Sequence, residues 1–460
     1  MGIFRRLGRG EKHRQVVVIG LDGTPFSYVQ RLLDQGEMPN FKKLLEEGSF
    51  KRMDSVVPCV SSVAWSSFMT GKNPAKHGIY GFVDRKPGSY EVFIPTASHM
   101  VGPRLWSYLS DQRKRVFSMN VPVTYPPKSV NGILIGGFLC TNIDKIAYPP
   151  SVSAQLKAMN YRIDVDAWQA RESLEKLLED VNDTFGKRVE TLFHFYKQEP
   201  WDFFIAHIME TDRLHHFLWE HMEKGDPRYA PAFVEFYRRM DGLLGQVRDR
   251  IGEDTTLIVL SDHGFCTLKK EVFLNHWLQE KGWLKFKTSP PKNLTDLHPD
   301  TKAYSLIPGR IFVNLRGREP AGSVEPGEAY ERVRRELADQ LLEMTDPDTG
   351  ERIIEKVVMR EEVYRPGRRD VYERAADLFA LPYDGYDLKG NVNKTTLTEK
   401  SALVGMHTFY DAMLYIRGEE IVKEDLSIVD LMPTILQIMG VPIPAELDGV
   451  SCIRRSFGES

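Results

Sequence analysis

The chain has 460 residues, enough for about three units of roughly 150 residues or for one large α/β body with insertions. Hydrophobic residues make up 42% and charged residues 27%, which excludes a mainly disordered, collagenous or coiled-coil chain. Lys and Arg number 61 against 64 Asp and Glu, a net charge of −3, so the composition carries no signal for nucleic acid or for a polybasic membrane surface.

The start, MGIFRRLGRGEKHRQ, is basic, and residues 1–13 read as a short N-terminal tail. It lacks the apolar stretch of a signal peptide, and Arg6 stands where myristoylation needs Ser or Thr. QVVVIG at Gln15 to Gly20 is a short, β-branched, uniformly apolar run, expected to be a strand buried on both faces of a parallel sheet. Met38 to Gly48 reads as a helix with Asn40 as its N-cap and Gly48 as its stop. Strands are expected near Lys114 to Val123 and Gly132 to Phe138, then a long helix from about Val165 to Gln198. The strand Phe203 to Met209, a helix near Pro231 to Ile251 and the strand Thr256 to Leu260 follow. This rhythm implies an α/β fold with a doubly wound, mainly parallel sheet.

After Gly264 the texture changes to shorter strands such as RIFVNL, one amphipathic helix at Glu328 to Met344, and many turn residues. Residues 266–400 therefore read as an inserted lid or substrate subdomain, and 14–265 with 401–460 as the catalytic core. The core pattern returns with AMLYIRG and the helix DLMPTILQIMG. The apolar runs VVVIG, GILIGGF and TLIVL are far too short to span a membrane. The cysteines, Cys59, Cys140, Cys266 and Cys452, are scattered, without a C-x-x-C pair, which suits a reducing compartment. A soluble cytoplasmic protein is the expectation.

Asp22, Asp212 and Asp262 each stand just beyond a buried strand. Open α/β sheets collect their ligand sites at the carboxyl ends of strands. Three carboxylates gathered there repel one another unless cations balance them, and metal ions are the natural cations. Histidines sit where such a site wants them. His216 lies four residues after Asp212, on one face if the segment is helical; His263 is adjacent to Asp262; His407 lies where the insertion returns to the core. Oxygen and imidazole donors without thiolate suit Zn²⁺, and Mn²⁺ or Fe fit the same set. Taken singly, each Asp is as readily a helix N-cap and His407 a structural histidine; their joint occurrence at one sheet edge favours the metal site.

The segment PCVSSVAWSSFMTGKNPAKHGI supplies hydroxyls ahead of a helical stretch, where a helix N-terminus and a neighbouring metal would favour an alkoxide. The competing reading makes Ser61 only the helix cap, with Ser62, Ser66 and Ser67 as packing hydroxyls.

Together, IGLDG at Ile19 to Gly23, the Ser61-to-Gly71 segment with NPAKHGI, ETDRLHH at Glu210 to His216, LSDHGF at Leu260 to Phe265 and GMHT at Gly405 to Thr408 resemble, in order, the motifs of the alkaline phosphatase superfamily. The nearest branch resembled is the type I phosphodiesterase / nucleotide pyrophosphatase family. The resemblance implies a two-metal hydrolase of phosphodiester or phosphoanhydride bonds. One ion falls to Asp212, His216 and His407; the other to Asp22, Ser61, Asp262 and His263. Ser61 lies nine residues before Thr70, the family's nucleophile spacing, and is implied to form a phosphoserine. The implied partner is a small phosphorylated substrate. Ala64 departs from the pattern, which has a phosphate-contacting Asn there. A sulfatase motif is absent. A phosphomonoesterase or phosphoglycerate-mutase-like phosphotransferase would use the same residues, and a binding protein without turnover is the non-catalytic alternative.

Overall fold

The structure, a computed structural model, describes residues 14–166, 172–198 and 200–454. The basic tail 1–13 and part of the expected Val165 to Gln198 helix lie outside these residues; the helix is described over Leu174–Gln198.

β1 (Gln15–Leu21) is buried at its last six positions, because a run with no polar side chain has no face to offer water. It joins β2 (Gly48–Met53), β3 (Val116–Met119), β4 (Gly132–Ile135), β5 (Ala147–Tyr148), β6 (Phe203–Ile208), β7 (Thr255–Leu260) and β8 (Ala412–Arg417) in one sheet of order β2-β8-β7-β1-β6-β3-β4-β5. The five strands from β7 to β4 run parallel. β8, β2 and β5 add antiparallel edges. Val17, Ile19 and Leu21 point into one apolar layer beneath the helices Phe26–Asp34, Leu174–Gln198, Glu210–Glu223 and Tyr229–Arg248. Val16 and Val18 point into the other, beneath Ser61–Thr70, Leu105–Asp111 and Leu431–Ile438. Each such side chain gains about 2 kcal/mol on leaving water.

Between Gly264–Thr267 and Gly405–Thr408, which pair antiparallel, the chain builds a separate four-stranded antiparallel sheet. Its strands run in the order Ala303–Leu306, Arg310–Val313, Leu378–Pro382, Ile354–Met359, and with the helix Glu328–Leu342 they share an apolar cluster of their own.

The expected helix from Met38 to Gly48 is shorter. It covers Pro39–Leu45, because Pro39 takes the first helical position, and Gly48 opens β2 instead of closing the helix. Asn40 is not its cap. Asp241, from the helix Tyr229–Arg248, accepts the backbone N–H of Phe41 at 2.7 Å and of Asn40 at 3.0 Å. Its carboxylate caps another helix across the core.

Asp377 carries the heaviest buried polar load of the second sheet. Arg318 grips both of its oxygens at 2.7 and 2.6 Å, and Tyr330 and the Val313 N–H add a bond each. Burial resists ionisation, but the Arg318 charge prevails and holds the carboxyl well below the usual carboxylate range. A depressed folded pKa gives stability that is full above the unfolded value of about 3.9 and lost as pH falls below it. In urea unfolding, wild type should exceed Asp377→Asn in stability at pH 7, and the gap should close steadily between pH 4 and pH 2. A gap independent of pH would contradict this.

Candidate active site and metal centre

Parallel register brings the carboxyl ends of three neighbouring strands level, since Gly20 of β1 pairs with His207 of β6 and with Leu260 of β7. The next residues out are Asp22, the helix start at Glu210 and Asp262. The two glycines of IGLDG admit close neighbours here. A Cβ on Gly20 would meet Trp65 Cη2 at 2.4 Å, and Gly23, at φ +63°, lies against His263 and Phe265.

Asp22 is fully buried, and its two oxygens do different work. Oδ2 takes His207 Nε2 at 2.7 Å and Trp65 Nε1 at 3.0 Å. Oδ1 faces Ser61 Oγ at 3.1 Å and His263 Nε2 at 3.5 Å. Ser61 is the first residue of the helix Ser61–Thr70; Val60 is the N-cap, so the Ser61 hydroxyl is not spent on capping. Its Oγ lies 3.3 Å from His263 Nε2. Ser62 Oγ is buried with no partner among the described residues.

Asp212 sits in the first turn of Glu210–Glu223, which puts His216 on the same face. Pairing of Phe265 with His407 across the two short strands carries His407 to the site from the far side of the insertion. His216 Nδ1 donates to Gly405 O at 3.0 Å and His407 Nδ1 to Cys59 O at 3.3 Å. Both Nε2 atoms therefore point inward. They stand 3.1 Å from each other and 3.4 and 3.3 Å from Asp212 Oδ1. His263 is aimed the same way, with Nδ1 donating to Gly264 O at 3.0 Å.

Two sets of donor atoms converge within 4.8 Å: Asp212, His216 and His407, and Asp22, Asp212 and His263. All seven residues expected from the sequence are brought to one place, but Asp212 belongs to both sets. Asp262 stands beside the second, with Oδ1 accepting the Gly23 N–H at 3.0 Å and Oδ2 3.4 Å from His263 Nε2. Asp212 Oδ1 and Asp262 Oδ2 are buried without hydrogen-bond donors among the described residues. Converging imidazole lone pairs and orphaned carboxylate oxygens are a donor set suited to divalent cations.

The electrostatics point the same way. Burial, with the Asp22 charge beside it, pushes the Asp262 carboxyl well above its usual range. Burial opposes ionisation of Asp212 too, but His216 and His407 hold it well below. Burial also opposes ionisation of Asp22, and the hydrogen bond from His207 holds it low. Burial pushes His263 down to about 3, leaving a neutral imidazole with an available lone pair.

A profile described as type I phosphodiesterase / nucleotide pyrophosphatase matches residues 16–410. The chain belongs to that family. It is an enzyme of the phosphoric ester hydrolase class, and the family is metal-dependent. No curated protein matches the chain. Among solved structures, phosphonoacetate hydrolase from Sinorhizobium meliloti 1021 in complex with phosphonoformate is similar at 16% identity and a TM-score of 0.64, covering 93% of this chain and 96% of that one. Murine ectonucleotide pyrophosphatase / phosphodiesterase 5 is similar at 15% identity and a TM-score of 0.54, covering 94% and 96%. These likenesses show the shared alkaline-phosphatase-like α/β fold. Among the described residues no helix is long and apolar enough to cross a membrane.

Within this phosphodiesterase family fold, several buried polar residues serve the frame. His77 is buried; its Nδ1 accepts the Ile79 N–H and its Nε2 meets Ser67 Oγ at 3.1 Å. Arg310 pairs with Asp84 and the Val83 carbonyl at full burial. Asn314 bonds Thr301 O, Ala321 O and Tyr90 OH. His215 links Gly23 O to Tyr237 OH. Thr211 Oγ1 donates to Asp22 O at 2.6 Å, and Glu210 receives the buried Arg188 at 2.8 Å.

His207 and Trp65 were not legible in the sequence as site residues. His207 lies inside an apolar strand, where an imidazole reads as packing. Its Nδ1 is buried with no partner among the described residues, so the proton sits on Nε2 and is donated to Asp22. His207→Leu removes one of two donors that turn Asp22 Oδ1 toward Ser61. Turnover and metal affinity should each fall about 10–100-fold, with the fold retained. His207→Gln, which can restore an N–H, should recover part of both. Equal behaviour of the two variants would contradict this role.

Proposed function

We propose that the chain is a metal-dependent phosphodiesterase acting through a covalent phosphoserine on Ser61. The observation that carries this reading is the position of Ser61 Oγ, freed from capping and held against both Asp22 Oδ1 and His263 Nε2. Asp212, His216 and His407 would hold one ion, and Asp22, Asp262, His263 and the Ser61 oxygen the other, zinc being the best match to the donors. Such ions supply positive charge to the attacking and leaving oxygens of an in-line displacement.

The residues' own work is positioning. His207 and Trp65 fix Asp22, and Asp22 orients the Ser61 hydroxyl. Ser61 Oγ attacks phosphorus as its proton is lost to solvent, the P–O bond to one alcohol breaks, and that alcohol leaves with a proton taken back from solvent. Water then cleaves the Ser61 O–P bond, releasing a phosphomonoester and restoring the hydroxyl. The helix N-terminus behind Ser61 favours the developing negative charge.

Residues 266–400 serve as the lid. In support, Tyr364 OH donates to Val57 O at 2.7 Å and Tyr80 OH to Val371 O at 2.7 Å, tying the insertion to the segment around Ser61. Ala64 presents no polar group at the position where the family has its phosphate-contacting Asn, which disfavours a nucleotide as the preferred substrate. The four cysteines are free, in keeping with a reducing cytoplasm.

Purified enzyme should hydrolyse bis(4-nitrophenyl) phosphate faster than 4-nitrophenyl phosphate, lose activity to a chelator and regain it with Zn²⁺. A preference for the monoester, or activity indifferent to chelation, would sink the proposal.

A further inference from the structure

Beside the Asp212 group the described residues form a groove of ≈ 510 Å³. Phe138, Leu139, Ile143, Tyr161 and Ile163 give it an apolar lining. Arg213, next in the chain to Asp212, joins the groove to the site. Its Nη1 lies 3.4 Å from Asp212 Oδ2, while Nη2 and Nε hold the groove residue Asp164 at 2.6 and 3.1 Å. The same guanidinium lies 4.9 Å over the Phe138 ring. The groove thus opens within one side chain of the candidate metal centre.

Its back wall is tied to the same helix. Buried Arg188 bonds the Tyr161 hydroxyl, and Ile163 O at 3.0 Å, with one edge while gripping Glu210 with the other. The two charged residues of the groove are already neutralised. Arg162 pairs with Asp180 and Asp183, and Asp164 with Arg213. Nothing there offers an unpaired charge to a phosphate or carboxylate.

Ser61 is in contact with Asp22 and His263. An in-line attack from it directs the leaving oxygen away from Ser61, and the groove adjoins the Asp212 group through Arg213. We infer that this groove receives the leaving group, and that the preferred substrate is a phosphodiester whose departing alcohol carries an uncharged, apolar aromatic or branched group. The inference rests on the hydrolase reading above and assigns leaving-group selection to the core rather than to the inserted lid or substrate subdomain.

The test uses 2-phenylethyl ethyl phosphate, whose two alcohols are similar as leaving groups. The product ratio then reports the groove and is independent of how much activity a variant keeps. Wild type should release 2-phenylethanol over ethanol by at least about tenfold. Phe138→Ala should move the ratio toward one, and Ile143→Ala, at the rim, should do so without disturbing Arg213. Equal release by wild type, release favouring ethanol, or a ratio unchanged in both variants overturns the inference while hydrolysis of bis(4-nitrophenyl) phosphate keeps the hydrolase reading intact. Failure to cleave either diester overturns the hydrolase reading, and the groove assignment falls with it.

Discussion

Ser61→Ala should lower turnover by at least about a thousandfold, or ~4 kcal/mol of transition-state stabilisation, while leaving the metal content largely in place. The alanine removes the attacking oxygen but keeps every carboxylate and imidazole of both convergent sets. Cavity and folding effects should be small, because among the described residues the hydroxyl hydrogen-bonds Asp22 and His263 and supports no backbone group. Ser62→Ala makes the sharper comparison. Ser62 is equally buried and adjacent, yet its hydroxyl has no partner, so turnover should change little. Kinetics with both variants, together with elemental analysis, check the pair. Equal losses, or a loss of metal in Ser61→Ala matching the loss of activity, would contradict the assignment.

Asp212→Asn should remove metal and activity together. The carboxylate is shared by both donor sets, and the amide that replaces it is neutral while the surrounding imidazole lone pairs still converge. Losing the central negative charge should weaken both ions, whereas removal of a ligand confined to one set, such as His407→Ala, should weaken one more than the other. Metal binding by this set also competes with protons, since burial and the Asp22 charge favour a protonated Asp262. Zinc uptake by chelated protein should therefore release protons, and less should be released by Asp212→Asn. Calorimetry in buffers of different ionisation enthalpy measures this. Two tightly bound ions in Asp212→Asn would contradict the shared role.

The parts of the fold that were legible in the sequence are those whose signal is local. β1, β6 and β7 are unbroken apolar runs, and such runs have few alternatives to the middle of a parallel sheet. The carboxylates beyond them were legible for the same reason, because strand ends in this architecture share one edge. The edge strands were not. β2, GSFKRM, is largely polar and only partly buried, and its place is fixed by pairing with β8, more than 350 residues later in the chain. Capping of Pro39–Leu45 by Asp241 was hidden likewise, since a cap supplied from another helix leaves no spacing to read. In the site itself, the ligand-type residues carried a pattern and an ordered resemblance. His207, Trp65 and the sharing of Asp212 carried none, because they depend on which oxygen of a carboxylate faces which neighbour. The pairing of Arg310 with Asp84 left no local trace for a related reason: the partner lies more than 200 residues away in the chain.

The most direct test of the central claim is to quench a reaction with phosphorus-labelled diester during turnover and map the modified peptide by mass spectrometry. The expected result is a single phosphorylated residue, Ser61, formed and lost at rates compatible with turnover, and absent from Ser61→Ala. Label on Ser62, or full turnover in Ser61→Ala with no labelled peptide, would contradict it.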